Sequence, residues 1–298
     1  MLPMNRILVI CGPTATGKSA LAVELAKQYN GEVISADSRQ VYTGLDIGSA
    51  KITESEMDGI PHYLIDVVHP NDYFSVADFQ KLAKEEINDI HSRGKLPIIC
   101  GGTGMYIDAL IYETNFPEVP ANEPLRSELA NLTNEELYAE LQKLDPDRAS
   151  EIDPHNSVRL IRAIEIATTL GSVPKITTEN PQYETLWIGL DIPKEELEGK
   201  IKKRILDRIP ALFEEINNLH LSGVSFERLE SFGLEYRYGS YYVQGKITLE
   251  EFKDLLATKT WQYAKRQMTW FKRNKNIHWC NPIIDKQKIL KLVQDFLK

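Results

Sequence analysis

What the sequence lacks excludes several broad classes. No apolar run approaches the ~20 residues of a membrane helix, so no membrane partner is expected. The chain goes straight into a strand-like run, and no signal peptide is expected. There are only three cysteines, Cys11, Cys100 and Cys280, each in or beside an apolar stretch. No CxxC pair or Cys/His cluster suggests zinc, so buried free thiols in a reducing cytoplasm are expected. Internal repeats and low-complexity tracts are also missing. Positive charge is not in excess: the net charge is -8, which argues against non-specific nucleic-acid binding.

What is there is an ordinary globular composition over 298 residues, enough for one large domain or two smaller ones. Basic residues are scarce overall but concentrated locally. Lys259 to Lys275 holds six basic residues and no acidic one, and Lys200 to Arg208 holds five against Asp207. Such stretches are either solvated helix faces or a local seat for a polyanion.

The pattern that organises the chain is Gly12-Pro13-Thr14-Ala15-Thr16-Gly17-Lys18-Ser19, a G-x-x-x-x-G-K-S phosphate loop. The β-branched run Ile7 to Cys11 precedes it, and the helix-forming run Ala20 to Lys27 follows it. The glycines let backbone N–H groups turn towards an anion, and the helix N-terminus adds partial positive charge. Lys18 can reach a phosphate oxygen and Ser19 can ligate Mg2+. The loop alone does not say which phosphates it holds.

Further strands are predicted at Glu32–Ala36, His62–Val68, Leu96–Cys100, Leu186–Ile192 and Ile277–Cys280, and helices at Ser75–His91 and Lys286–Leu297. Ligands bind beyond the carboxyl ends of strands in an open parallel sheet, which brings Asp37 near the phosphate loop. There it can bind Mg2+ through water, act as a general base, or cap the turn Asp37-Ser38-Arg39-Gln40. Leu64-Ile65-Asp66 resembles a Walker B ending, so Asp66 competes for the metal role. Gly101-Gly102-Thr103-Gly104 suggests backbone approaching a ligand, with the Thr103 hydroxyl as donor, or a tight turn into a helix.

From Thr114 to about Tyr183 only helices are predicted: Glu123–Asn131, Thr133–Leu144 behind a capping box, and Asn156–Gly171. On the third, Arg159 and Arg162 share a face and are either surface residues or contacts to a nucleic-acid backbone. The expected fold is α/β, a P-loop NTPase-like parallel-sheet core with an inserted all-helical subdomain. The core takes residues 1–114 and 184–298, and the insertion takes 115–183. A basic helix from Glu195 to about Phe213 carries Lys200, Arg204 and Arg208 on one stripe. A second, opened by the capping box Thr248-x-x-Glu251, interleaves Lys265 and Arg266 with Trp261, Tyr263 and Trp270. Aromatics that stack bases beside cations that hold phosphates have this pattern, and so does an amphipathic helix with its aromatics in a core.

Several stretches together resemble the tRNA dimethylallyltransferases, the isopentenyltransferases acting on tRNA. They are the phosphate loop, Asp37-Ser38-Arg39-Gln40-Val41-Tyr42, Leu45 to Lys51, Pro61 to Asp66 and Gly101 to Tyr106. Asp145-Pro146, Arg159-x-x-Arg162-Ala163-x-Glu165 and Tyr263 to Phe271 complete the set, which spans most of the chain. The resemblance implies transfer of a dimethylallyl group from its diphosphate to N6 of the adenosine 3′-adjacent to the anticodon. The loop then holds the leaving diphosphate rather than ATP, with Lys18 and Mg2+ on Ser19 neutralising it. Asp37 matches the general base, Thr103 a residue near the reacting atoms, and Arg204 an arginine directed to the diphosphate. Asp37 to Gln40, Thr103, Arg126 and the run Val158, Arg159, Leu160, Ile161, Arg162 match positions that contact tRNA. Lys265 and Arg266 join them from the basic-aromatic helix. The implied partners are the tRNA anticodon stem-loop and dimethylallyl diphosphate, with a monomer expected. Glu235 stands where the family commonly has glycine, Lys200 replaces a common arginine and Ser49 a common threonine. The rival readings are an adenylate isopentenyltransferase using free AMP, ADP or ATP, and a P-loop small-molecule kinase.

Overall fold

The computed structural model describes residues 5–175 and 182–298. The chain forms two compact units, Met1–Tyr112 with Pro181–Lys298, and Glu113–Asn180. Residues 176–181 of the expected insertion lie outside the described residues.

The first unit begins with β1 (Arg6–Cys11), α1 (Lys18–Tyr29), β2 (Gly31–Ser35), α2 (Glu54–Met57), β3 (His62–Tyr63), α3 (Val76–Ser92), β4 (Leu96–Cys100) and α4 (Gly104–Ile111). The second unit holds α5 (Glu123–Leu129), α6 (Asn134–Leu144), α7 (Pro146–Glu151) and α8 (Ser157–Leu170). The first unit resumes with β5 (Glu184–Leu190), α9 (Lys194–Leu221), α10 (Phe226–Ser231), α11 (Leu234–Val243), α12 (Leu249–Phe271), β6 (Ile277–Cys280) and α13 (Lys286–Leu297).

All six strands are parallel, in the order β3-β2-β4-β1-β5-β6. Strands buried on both faces read as continuous apolar runs, and β1 from Ile7 onward and β4 do so, while β2 is equally buried but carries Glu32 and Ser35. Alternate side chains serve opposite layers. Ile7, Val9 and Ile99 meet Phe79 and Ile87 of α3 and Ile107 of α4. Leu8, Ile10 and Ile98 meet Leu21 and Leu25 of α1 and Ile289 and Val293 of α13. A further cluster packs α9, α11 and α12 around Ile201, Ile216, Tyr236 and Phe252. The three cysteines are free and buried, as expected.

The predicted strand from His62 to Val68 ends at Tyr63, because Leu64 and Asp66 take left-handed backbone. The Asp66 carboxylate is paired with Lys51, which removes it from the metal role that a Walker B strand would assign. The basic helix α9 continues past Phe213 to Leu221 with Pro210 inside it. Unpredicted α11 carries four tyrosines and Gly239, poor helix formers, and its helix is supported by Tyr236 in the α9–α12 core.

In the second unit Leu129, Leu137, Leu141, Leu160 and Ile164 form the core. Glu165 is fully buried there. It accepts from the Asn122 backbone N–H at 2.6 Å and from Arg126 Nε at 2.9 Å, and it is paired with Arg162. A buried carboxylate needs such partners, since stranding it costs several kcal/mol.

Glu32 in β2 gives a pH-dependent stability prediction. Its side chain is 1% exposed. It receives Arg93 Nη1 and Nη2 at 2.6 Å each, Lys95 Nζ at 2.5 Å and Tyr63 OH at 2.8 Å. The Arg93 hydrogen bonds, aided by Lys95 and Tyr63 against the cost of burial, hold its carboxyl at about 2 rather than the usual 4.5. A depressed carboxyl contributes fully above its unfolded value and loses that contribution as pH falls towards the folded one. Urea midpoints should therefore drop between pH 4.5 and 2, by the equivalent of about 3 kcal/mol at most, and Glu32→Gln should flatten that drop.

Candidate functional site

The site is built where three neighbouring strands end. β4 lies between β2 and β1, so the turns after them are adjacent. The Gly101 N–H donates to Ile10 O at 3.1 Å, the Ala36 N–H to Cys100 O at 2.8 Å, and the Thr103 N–H to Ala36 O at 3.2 Å. A Cβ on Gly101 would overlap the Ala36 carbonyl, so only glycine lets the exits of β4 and β2 come this close.

The exits enclose a cleft of about 280 Å³, lined by Thr14, Ala15, Gly17, Lys18 and Ser19 of the phosphate loop, by Asp37 and Gln40, and by Gly101 and Gly102. Arg204 and Arg208 of α9 line it as well. A larger hollow of about 640 Å³, beside Trp261, Met268 and Trp279, touches the loop only at Pro13 and holds none of these charged groups. The cleft, not the larger hollow, is therefore the candidate site.

Lys18 Nζ donates to Pro13 O at 2.7 Å. Burial pulls its ammonium below the usual value, opposed by Cys100 and Asp37 and reinforced by Arg204. Burial also lowers Arg204, with Glu235 and Asp37 opposing. Poorly hydrated cations this close together are stabilised by an anion. Asp37 Oδ1 accepts the Arg39 N–H at 2.9 Å and the Gln40 N–H at 3.4 Å. The carboxylate thus does cap its turn, and because both donors go to Oδ1, Oδ2 is left for the cleft. Thr103 Oγ1 accepts the Ser38 N–H at 3.2 Å, fastening the Asp37 turn to the loop after β4.

Helix α9 is held over the cleft by Glu215, which accepts N–H groups of Asp46, Ile47 and Gly48 at 2.8, 2.6 and 3.1 Å. Tyr236 OH donates to the same carboxylate at 2.7 Å. Glu235 lies in the first turn of α11 with ordinary helical backbone, so no glycine is needed there. Burial raises its carboxyl, while Arg204 and Arg208 pull it down.

Other expected contact residues are distributed differently. Arg126 and Arg162 hold Glu165, Leu160 is fully buried in the core of the second unit, and Ile161 packs against that core. Val158 is 76% exposed and Arg159 is exposed. On α12, Lys265 Nζ lies 5.1 Å from the Trp261 ring centre and the Arg266 guanidinium 5.8 Å from that of Tyr263. Lys200 leaves the expected stripe to pair with Glu196 at 2.8 Å. Arg208 of the expected stripe does line the cleft, whereas Glu215 and Gln267 are neighbours of the site that no sequence pattern picked out; a lone Gln267 on a helix face with Ala264 and Phe271 was the available signal.

Fold and cleft together define a P-loop-type α/β protein in which Lys18, Arg204 and Arg208 line one cleft with the Asp37 carboxylate. The sequence pattern of the IPP transferase family matches residues 40–274, and the chain belongs to that family. A tRNA dimethylallyltransferase of Alkaliphilus oremlandii is 44% identical over 286 residues, covering 93% of this chain and 91% of its own. One of Oceanobacillus iheyensis is 41% identical, covering 97% and 96%. The crystal structure of a tRNA isopentenylpyrophosphate transferase from Bacillus halodurans superposes with a TM-score of 0.73 at 39% identity, covering 98% of this chain and 97% of its own. A eukaryotic dimethylallyltransferase acting on tRNA gives 0.80 at 26% identity, covering 98% and 79%.

Inorganic diphosphate tests the cleft. Arg204→Ala should weaken its binding about tenfold to a hundredfold in titration calorimetry, the value of one charged hydrogen bond. Lys200→Ala should leave it unchanged. Equal losses in both variants would place the anion elsewhere.

Proposed function

We propose that this chain transfers a dimethylallyl group from dimethylallyl diphosphate to N6 of the adenosine 3′-adjacent to the anticodon of tRNA. The observation that carries this reading is the sharing of one cleft by the Lys18 and Arg204 cations and the Asp37 carboxylate. The names of its relatives point the same way.

In the proposed reaction the diphosphate rests on the N–H groups of the phosphate loop, beside Lys18, Arg204 and Arg208. The allylic C–O bond breaks, and its electron pair leaves with the diphosphate, which those cations stabilise as its charge grows. The adenine N6 lone pair forms the new N–C bond, and Asp37 Oδ2 accepts the N6 proton. Thr103 holds the Asp37 turn through Ser38.

Among the described residues no group of three His, Cys, Asp or Glu side chains is placed to hold a metal ion by itself. Mg2+ needs few protein ligands when it arrives on a diphosphate and keeps its waters, so Ser19 with Asp37 in the same cleft fits it. Bound there, it would supply further charge neutralisation at the leaving group.

The anticodon stem-loop is the proposed RNA element, since its unstacked adenosine can leave the strand and enter a pocket. Asp37 to Gln40, Lys265, Arg266 and Arg159 are the proposed contacts. A single chain carries every group named here, so we propose a monomer, and its buried thiols suit the cytoplasm. No helix among the described residues is long and apolar enough to cross a membrane.

Labelled dimethylallyl diphosphate offered with tRNA and AMP side by side should label tRNA alone. Label in AMP instead would identify an adenylate enzyme. Asp37→Asn should slow single-turnover transfer by about 10²–10⁴ while tRNA affinity stays within about twofold. A loss confined to affinity would make Asp37 a recognition residue. Arg159→Ala should reduce the salt slope of tRNA binding by about one. An unchanged slope would assign Arg159 to the solvated surface.

A further inference from the structure

Gln267 lies on α12 and is only 6% exposed. Its side-chain amide bridges two of the loops that form the cleft. Oε1 accepts the backbone N–H of Thr14 in the phosphate loop at 2.9 Å. Nε2 donates to the carbonyl of Gly102, in the loop after β4, at 2.9 Å. A Cβ on Gly102 would overlap Nε2, so that loop is shaped to receive this amide. One turn further along α12, Trp270 Nε1 donates to Asp108 Oδ2 at 2.8 Å, and a Cβ on Gly104 would overlap the indole. The helix thus grips the loop after β4 at Gly102, α4 at Asp108 and the phosphate loop at Thr14.

The bridge requires one group that donates and accepts at once. Glutamine does so at this length, whereas an ionised carboxylate only accepts and methionine does neither usefully. The phosphate loop is where the C–O bond breaks in the proposed reaction. The loop after β4 carries Thr103, which holds the Asp37 turn where the attacking amine sits.

We infer that Gln267 is a positioning residue for the transfer: its amide sets the spacing between the diphosphate loop and the turn that bears the general base. This inference rests on the reaction proposed above. A misplacement of about 1 Å between reacting groups costs up to about 10²-fold in rate, so the effect falls on the chemical step rather than on RNA binding.

The test uses the full chain with dimethylallyl diphosphate and tRNA at saturation, in single turnover across pH. Wild-type transfer is the control for the reaction itself; its failure would remove the reaction and leave the bridge unaddressed. With the wild type active, Gln267→Met should lose about ten- to a hundredfold in rate, with tRNA affinity within about twofold. Gln267→Glu supplies the signature that a merely structural role would not produce. Its protonated carboxyl can donate to Gly102 O while accepting from Thr14 N–H; its ionised form cannot donate and sets negative charge against a carbonyl. The ratio of the Glu variant's rate to the wild-type rate should therefore rise as pH falls through about 9 to 6, where buried carboxyls titrate. A flat ratio, or a Met variant as fast as the wild type, would overturn the inference. If the Met variant fails to fold by circular dichroism, the pH ratio of the Glu variant decides alone.

Discussion

Gly101 has no side chain, and the Ala36 carbonyl occupies the space a Cβ would need. That single close approach draws the exits of β2 and β4 together, with β1 alongside. Lys18, Thr103 and Asp37 come from three different turns, yet no long connection is needed to gather them. The sheet supplies their spacing, since neighbouring parallel strands lie about 5 Å apart. What the sheet cannot supply is the lateral set of the loops, and that task falls to Glu215 on α9 and to Gln267 on α12. Both are polar side chains spent on backbone groups.

The electrostatics follow from the same geometry. The protein is acidic overall, at -8, yet Lys18, Arg204 and Arg208 line a cleft in which Asp37 and Glu56 are the acidic lining residues. Asp37 holds two backbone N–H groups, and Glu56 serves the Thr53 cap of α2. Lys18 and Arg204 are disfavoured in their charged forms by burial, which stores an affinity for an anion at the place where one departs in the proposed reaction. Glu235 tempers this from α11 by opposing burial at Arg204.

Features with a local cause were readable in the sequence. The phosphate loop, five of the six strands and the capping boxes at Thr133 and Thr248 depend on residues within a few positions of one another. Asp37 was legible for the same reason: a polar turn straight after an apolar strand has few other uses. The misses depend on distance. The left-handed backbone at Leu64 and Asp66 ended a strand that the apolar run implied, and Lys51, fifteen positions away, took the Asp66 carboxylate. Arg162 shares helical spacing with Arg159, but Glu165 claims it along with Arg126 from another helix. Helix α11 exists because α9 and α12 pack around Tyr236. Gln267 contacts Thr14 across 253 positions of sequence, and no periodicity signals such a bond.

In the proposed reaction one cleft holds the departing diphosphate on the phosphate loop and the attacking amine at Asp37. A structure of this chain with a non-cleavable thiolo analogue of dimethylallyl diphosphate and an anticodon stem-loop tests it most directly. Diphosphate oxygens are expected within hydrogen-bond reach of Lys18 and Arg204, with the flipped adenine N6 nearest Asp37 Oδ2. A diphosphate seated in the larger hollow beside Trp261, or an adenine amine facing some other group, would contradict it.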